Sequence, residues 1–142
     1  MSFLNIQYNE SSEIAFHANL YKFHDTIKHL LKLYDDQWKY HDTYDLSIIF
    51  KNQHCDFLTF TLNENLQSFS VLLEFNKYKI NQIDILKEDI DVNEFKGHHY
   101  NDRKYLASIV LDLQIKANER YLNDIRAKSV DKNSAFSGKR NI

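Results

Sequence analysis

The sequence predicts an α+β fold, a single domain in which an antiparallel meander sheet is packed by two helices. Three observations carry this. Between Tyr44 and Leu86, apolar and polar residues alternate in four successive segments. The breaks between those segments are short and rich in Asn. On either side of the block, apolar residues recur instead at spacings of three and four. A period of two marks half-buried strands, short Asn-rich breaks mark hairpin turns, and the longer spacing marks amphipathic helices.

Near the start, Leu4, Ile6 and Tyr8 alternate, so Phe3–Tyr8 reads as a first strand, followed by a turn at Asn9-Glu10-Ser11-Ser12. Ile14, Phe16 and Ala18 alternate too. The segment Glu13–Ala18 therefore reads as a second strand, with the opening of a helix capped by Ser12 as its alternative. Asn19 is then placed as the N-cap of the helix that follows. From Leu20, the residues Phe23, Ile27, Leu30, Leu31, Tyr34 and Trp38 form one stripe, with Lys22, Asp25, Lys28 and Lys32 opposite. Asp35-Asp36 sits poorly with the helix dipole and is a place for the helix to fray. Gln37–Thr43 reads as a polar loop.

Within the block, Tyr44–Lys51 turns Leu46, Ile48 and Phe50 to one side, and Cys55–Leu62 does the same with Asp56, Leu58, Phe60 and Leu62. Gln67–Phe75 follows with Phe69, Val71, Leu73 and Phe75. In Tyr78–Leu86 the alternation slips near Asn81-Gln82, as at a bulge or an edge strand. Lys87–Phe95 reads as an ordered loop or short helical turn anchored by Ile90, Val92 and Phe95. After Gly97-His98-His99-Tyr100, Asn101 or Asp102 caps a helix expected from about Arg103 to about Lys128. That helix has two apolar stripes: Leu106, Ile109, Val110, Leu113 and Ala117, and a second of Leu111, Ile115, Leu122 and Ile125. A helix covering a sheet needs only the first, so the second implies packing on the other helix, a homodimer or another protein. Residues 1–129 thus make one domain, and 130–142 a mobile basic tail.

With 142 residues, 43% hydrophobic and 27% charged, the chain suits one globular domain. Two glycines and no proline leave most turns to Asn and Asp. The aromatic content of 14%, rich in Tyr, suits both a core and an interface. Cys55 stands alone, which excludes an intramolecular disulfide and fits a reducing compartment. No signal peptide opens the sequence, and no stretch approaches the ~20 apolar residues of a bilayer span. A cytoplasmic protein without a membrane partner is expected. Residues 1–115 hold 11 Lys/Arg against 17 Asp/Glu, a net −6, whereas residues 116–142 hold seven against three, a net +4. An acidic body disfavours nucleic acid and suits a basic protein partner.

No cofactor motif, phosphate loop or nucleophile elbow occurs. His98-His99 beside Tyr100 and Asp102 is the most suggestive cluster, but adjacent histidines diverge and a metal site needs further ligands. It reads as a solvated loop, and no metal or catalytic residue is assigned. His17, His24 and His29 lack the three- or four-residue spacing of helical metal sites and read as surface residues. His54 and Cys55 project to opposite sides, and Cys55 reads as a small buried residue. The acids Asp84, Glu88, Asp89, Asp91 and Glu94, flanked by Trp38, Tyr40, Asp42 and Tyr100, read as a docking surface for a basic protein domain, with the aromatic residues as anchors.

In this organisation, with YDLSIIF, DFLTFTL and FSVLLEF as the meander, two flanking helices, an acidic body and no catalytic motif, the chain resembles the small cytoplasmic immunity proteins that bacteria carry beside secreted antibacterial toxins. The resemblance implies a non-enzymatic protein that binds a toxin domain and holds it inactive. Two other readings stand beside it: a homodimeric accessory or regulatory protein, and a small metal-dependent hydrolase using the His98-His99 region.

Overall fold

The computed structural model describes residues 13–34, 37–76 and 83–140. Helix α1 (Glu13–Tyr34) precedes five strands, β1 (Lys39–Tyr44), β2 (Ser47–Lys51), β3 (Phe57–Leu62), β4 (Ser68–Phe75) and β5 (Ile83–Asp91). A 3-10 turn (Val92–Glu94) leads to helix α2 (His99–Arg140). The strands pair antiparallel in the order β1-β2-β3-β4-β5, so the sheet is a meander with β1 and β5 as its edges. The expected α+β domain is the one observed.

The alternation of β2, β3 and β4 sets the layering. Ile48, Phe50, Leu58, Phe60, Leu62, Phe69, Val71 and Leu73 are buried, while the residues between them are half-buried on the opposite, helix-free face. Both helices lie on the buried side. Phe23, Ile27, Leu30 and Leu31 of α1 and Leu106, Ile109, Val110, Leu113 and Ala117 of α2 complete one core. Rings tie the layers together: Phe69 of β4 lies 5.3 Å from Phe23 and 5.7 Å from Phe95, which in turn lies 5.1 Å from Tyr105 of α2.

Several boundaries differ from the sequence reading. Glu13–Ala18 is the start of α1, not a strand, and Asn19 is buried within the helix rather than capping it. Three alternating apolar residues are too short a run to separate the two periods. Trp38 lies beyond α1 yet is only 4% exposed, so it joins the core from the connection to β1. The polar loop expected over Gln37–Thr43 is largely strand β1, all six residues of which are exposed. The β1–β2 turn is Asp45-Leu46, with Asp45 at φ 56, a conformation Asp tolerates.

Lys87–Asp91, expected as loop, extends β5, and its anchors Ile90, Val92 and Phe95 are buried as expected. A bulge does occur on this edge strand, at Glu88-Asp89, which together oppose Ser70, with Asp89 at φ 58. The slip read at Asn81-Gln82 and the strand and turn read over Phe3–Ser12 lie outside the described residues.

Helix α2 is 42 residues, ~63 Å at 1.5 Å per residue, and runs on through Arg140, past the expected end and through most of the segment read as a tail. It begins at His99, so neither Asn101 nor Asp102 is its cap. The buried Asp102 carboxylate instead reaches back from the first turn and accepts the N–H groups of Lys96 (3.0 Å) and Gly97 (2.9 Å). Gly97 carries the chain through φ 86 at this corner. Of the second stripe, Leu111, Ile115 and Leu122 are exposed and Ile125 is half-buried, so α1 does not cover it.

Candidate functional site

The residues read as one docking surface fall into separate places. Asp84, Glu88, Asp89 and Asp91 lie along the outer strand β5, and Glu94 in the turn after it, all exposed. From Asp84 to Asp91 this line covers about 23 Å. Tyr100 is 63% exposed in the first turn of α2, six residues after Glu94 in the chain. Tyr40 and Asp42 belong to β1 at the opposite edge, four strand spacings or about 19 Å away. Trp38 is in the core and offers no exposed anchor. Strand β5 therefore groups four of the nine, with Glu94 in the turn that follows, and the sheet separates Tyr40 and Asp42 from them while Trp38 is in the core. Placing the entry to the sheet beside its exit misled here, because a meander sends its first and last strands to opposite edges.

Among the described residues, none of the five acids makes an ion pair, whereas Lys116 and Asp112, one turn apart on α2, do. Asp91 Oδ1 accepts the Asn93 N–H (2.8 Å), which starts the 3-10 turn. The negative field of this end is felt nearby: Tyr105 is raised above its ordinary pKa, first by burial and then by the charges of Glu94 and Asp91. Arg103 and Lys104 lie 5.6 and 5.4 Å from the Tyr100 ring centroid, so its face is engaged by cations of its own helix.

At the other edge, β1 carries a bulge. Tyr40 pairs with Phe50 and Asp42 with Ile49, leaving His41 as the extra residue. The bulge leans the His41 ring across β2 on the helix-free face, to 5.3 Å from the Phe57 ring of β3. Lys39 and Lys51 are direct cross-strand partners here, and Lys51 Nζ lies 5.7 Å from the Phe57 centroid. Gln37, Lys39, Tyr40, His41, Lys51, Asn52 and Gln53 line a cleft of about 440 Å³. The bulge and the lysine register were not foreseen; both follow from pairing β1, which the sequence reading did not recognise as a strand.

A second cleft of about 260 Å³ shares Gln37 and Asn52 with the first and is closed by Phe75 and by Leu111 and Ile115 of the second α2 stripe. Between the clefts, the β2–β3 turn is held by buried side chains: Asn52 Oδ1 accepts the N–H groups of His54 (2.9 Å) and Asp56 (3.0 Å). Cys55 sits in this turn at φ 64 and is exposed, contrary to the buried role read for it. His24 of α1 is half-buried with Nε2 3.4 Å from the Leu46 carbonyl; burial is the main cause holding its pKa below the ordinary value. Among the described residues no three His, Cys, Asp or Glu side chains converge as metal ligands, and no helix is long and apolar enough to cross a membrane.

The class defined by these features is an α+β domain with a five-stranded antiparallel meander, two helices on one face and two unlike edges, one acidic and one bearing a cationic, aromatic corner. Comparison with protein-family models, with curated proteins and with solved structures finds no match for the chain.

Proposed function

We propose that this protein is a non-catalytic binding protein that docks a basic protein domain on its β5 edge, and that within this class it is a bacterial immunity protein neutralising a toxin domain. The observation that supports the reading is the line Asp84, Glu88, Asp89, Asp91 and Glu94, exposed and without ion pairs among the described residues, followed six residues on by exposed Tyr100. Charges on an open sheet edge also keep it from pairing with other chains. A docking role requires more: long-range attraction should set the association rate, and a desolvated aromatic should set the lifetime. Tyr100 takes the anchor role that buried Trp38 does not fill.

The test begins with co-purification from the native cell and identification of the bound protein. Against that partner, reversing Asp84, Glu88 and Asp91 to Lys is expected to slow association about tenfold or more at low salt and flatten its salt dependence. Tyr100→Ala is expected to shorten the complex lifetime instead. An acid-reversal variant that binds with unchanged rate and affinity removes the β5 edge as the interface.

A second reading, a homodimeric accessory protein, is favoured by Leu111, Ile115 and Leu122 of α2, exposed by 52, 48 and 48%. It predicts a dimer in sedimentation that Leu122→Asp converts to a folded monomer. A wild-type monomer at micromolar concentration counts against it.

A further inference from the structure

We infer that the helix-free face of the sheet is a self-association surface, covered by the same face of a second copy turned over about a two-fold axis parallel to β3. This goes beyond both readings above, since the surface is neither the outer edge of β5 nor the second stripe of α2.

The register across the strands points to the partner. One row of direct cross-strand neighbours on this face reads Lys39, Lys51, Phe57, Glu74, Asp84 from β1 to β5. Two cations, an aromatic ring and two acids thus stand in order across the sheet. Lys39 and Glu74 also have contacts within their own chain, which leaves the order of signs unchanged. A nucleic acid or a basic protein fits such a row poorly, because one half of it repels either. Its own reverse fits it. The two-fold rotation lays β1 over the partner's β5 and β2 over the partner's β4, with every row kept at its own level. Each lysine then faces an acid, and Phe57 faces its own counterpart on the axis.

The adjoining row supplies apolar contact. It reads Asp42, Ile49, Thr59, Leu72, Leu86, in which Ile49 and Leu72 are half-buried and Leu86 is 47% exposed. The same rotation sets Ile49 against Leu72 on both sides of the axis. In the next row the Ser47 and Thr61 hydroxyls hydrogen bond to each other (2.7 Å), so a covering sheet meets a paired couple rather than two bare hydroxyls. Stacked sheets lie about 10 Å apart, a gap in which a lysine meets a carboxylate end to end. Lys51 and Glu74 sit one strand from the axis, so they stay opposed at the angle of about 30° usual between such sheets. Five strands with about six residues each give a face of about 24 by 20 Å, or about 1,000 Å² over both copies, the lower limit for a specific interface. The dimer should therefore form only at high concentration.

The full-length protein is sedimented from micromolar to millimolar concentration at low and high salt. A monomer–dimer equilibrium that weakens with salt is expected. Lys51→Glu and Glu74→Lys, each alone, put like charges across the axis and should weaken dimerisation about tenfold or more. Mixed in equal amounts, the two variants restore every pairing of opposite sign, so a heterodimer at least as tight as the wild-type dimer should form. A misfolded variant cannot produce that gain. Leu72→Lys should abolish dimerisation, whereas Leu122→Asp should leave it unchanged. The inference is overturned by a wild-type monomer throughout the range, by two charge variants that do not prefer each other, or by loss of the dimer in Leu122→Asp, which would assign it to the α2 stripe.

Discussion

Phe69→Ala is expected to destabilise the protein by about 3–5 kcal/mol, the cost of emptying a large aromatic site in a closed core. Phe69 is fully buried and is the ring through which every layer meets. It lies 5.3 Å from Phe23 of α1, 6.4 Å from Phe60 of β3 and 5.7 Å from Phe95 before α2. Neighbours on a helix, a central strand and an anchored turn cannot all move inward together, so the cavity should persist. Against a total stability of about 5–15 kcal/mol, the loss would be a large fraction. A urea titration followed by tyrosine fluorescence and circular dichroism measures it. Phe69→Leu, which retains most of the volume, should cost clearly less. A loss under about 1 kcal/mol for the alanine variant would mean that the ring cluster is not the junction of the core.

That cluster belongs to the part of the fold most legible in the sequence. Phe60, Phe69, Val71 and Leu73 announce their side by strict alternation, and Leu106, Ile109, Val110 and Leu113 announce theirs by helical spacing, because each element buries one face. Legibility fails where burial does not alternate. Strand β1 is exposed at all six positions, so Lys39–Tyr44 has no apolar period to read and is held by pairing with β2. Beyond Ala117 no α2 residue whose side chain is described is buried, and the sequence after Lys128 has no apolar period to read. Both bulges are invisible in the same way: an extra residue on an edge strand shows only when its partner's register is known. The candidate sites inherit this. The β5 acids could be read as a group since they are neighbours in sequence, whereas the Lys39–Lys51 pair exists only in the folded sheet.

Asp56 is the inward-facing residue that alternation marks as anomalous, an acid in line with Leu58, Phe60 and Leu62, and it is 3% exposed. Its burial is tolerable because its carboxylate is used on two sides. Oδ2 accepts from Asn52 Nδ2 (3.0 Å), and Oδ1 accepts the Asn76 N–H (2.6 Å). The Asp56 N–H in turn donates to Asn52 Oδ1 (3.0 Å). The network therefore ties the β2–β3 turn to the end of β4, across 20 residues of chain. Asp56→Ala removes both acceptors at once and strands the Asn52 amide and the Asn76 N–H where few others can reach them. A loss of about 2–4 kcal/mol is expected, from a desolvation penalty of about 1–3 kcal/mol per abandoned group. Asp56→Asn keeps one carbonyl oxygen and should retain part of the stability, with the Asn76 N–H still protected from hydrogen exchange. In Asp56→Ala that protection should fall together with the unfolding midpoint, and the positive φ of Cys55 would no longer be held by its neighbours. Full stability and unchanged Asn76 exchange in the alanine variant would show that water replaces the carboxylate without cost. The predicted loss would instead identify Asp56 as the residue that fixes the turn carrying Asn52 and Gln53, and with it the wall that the two clefts share through Asn52.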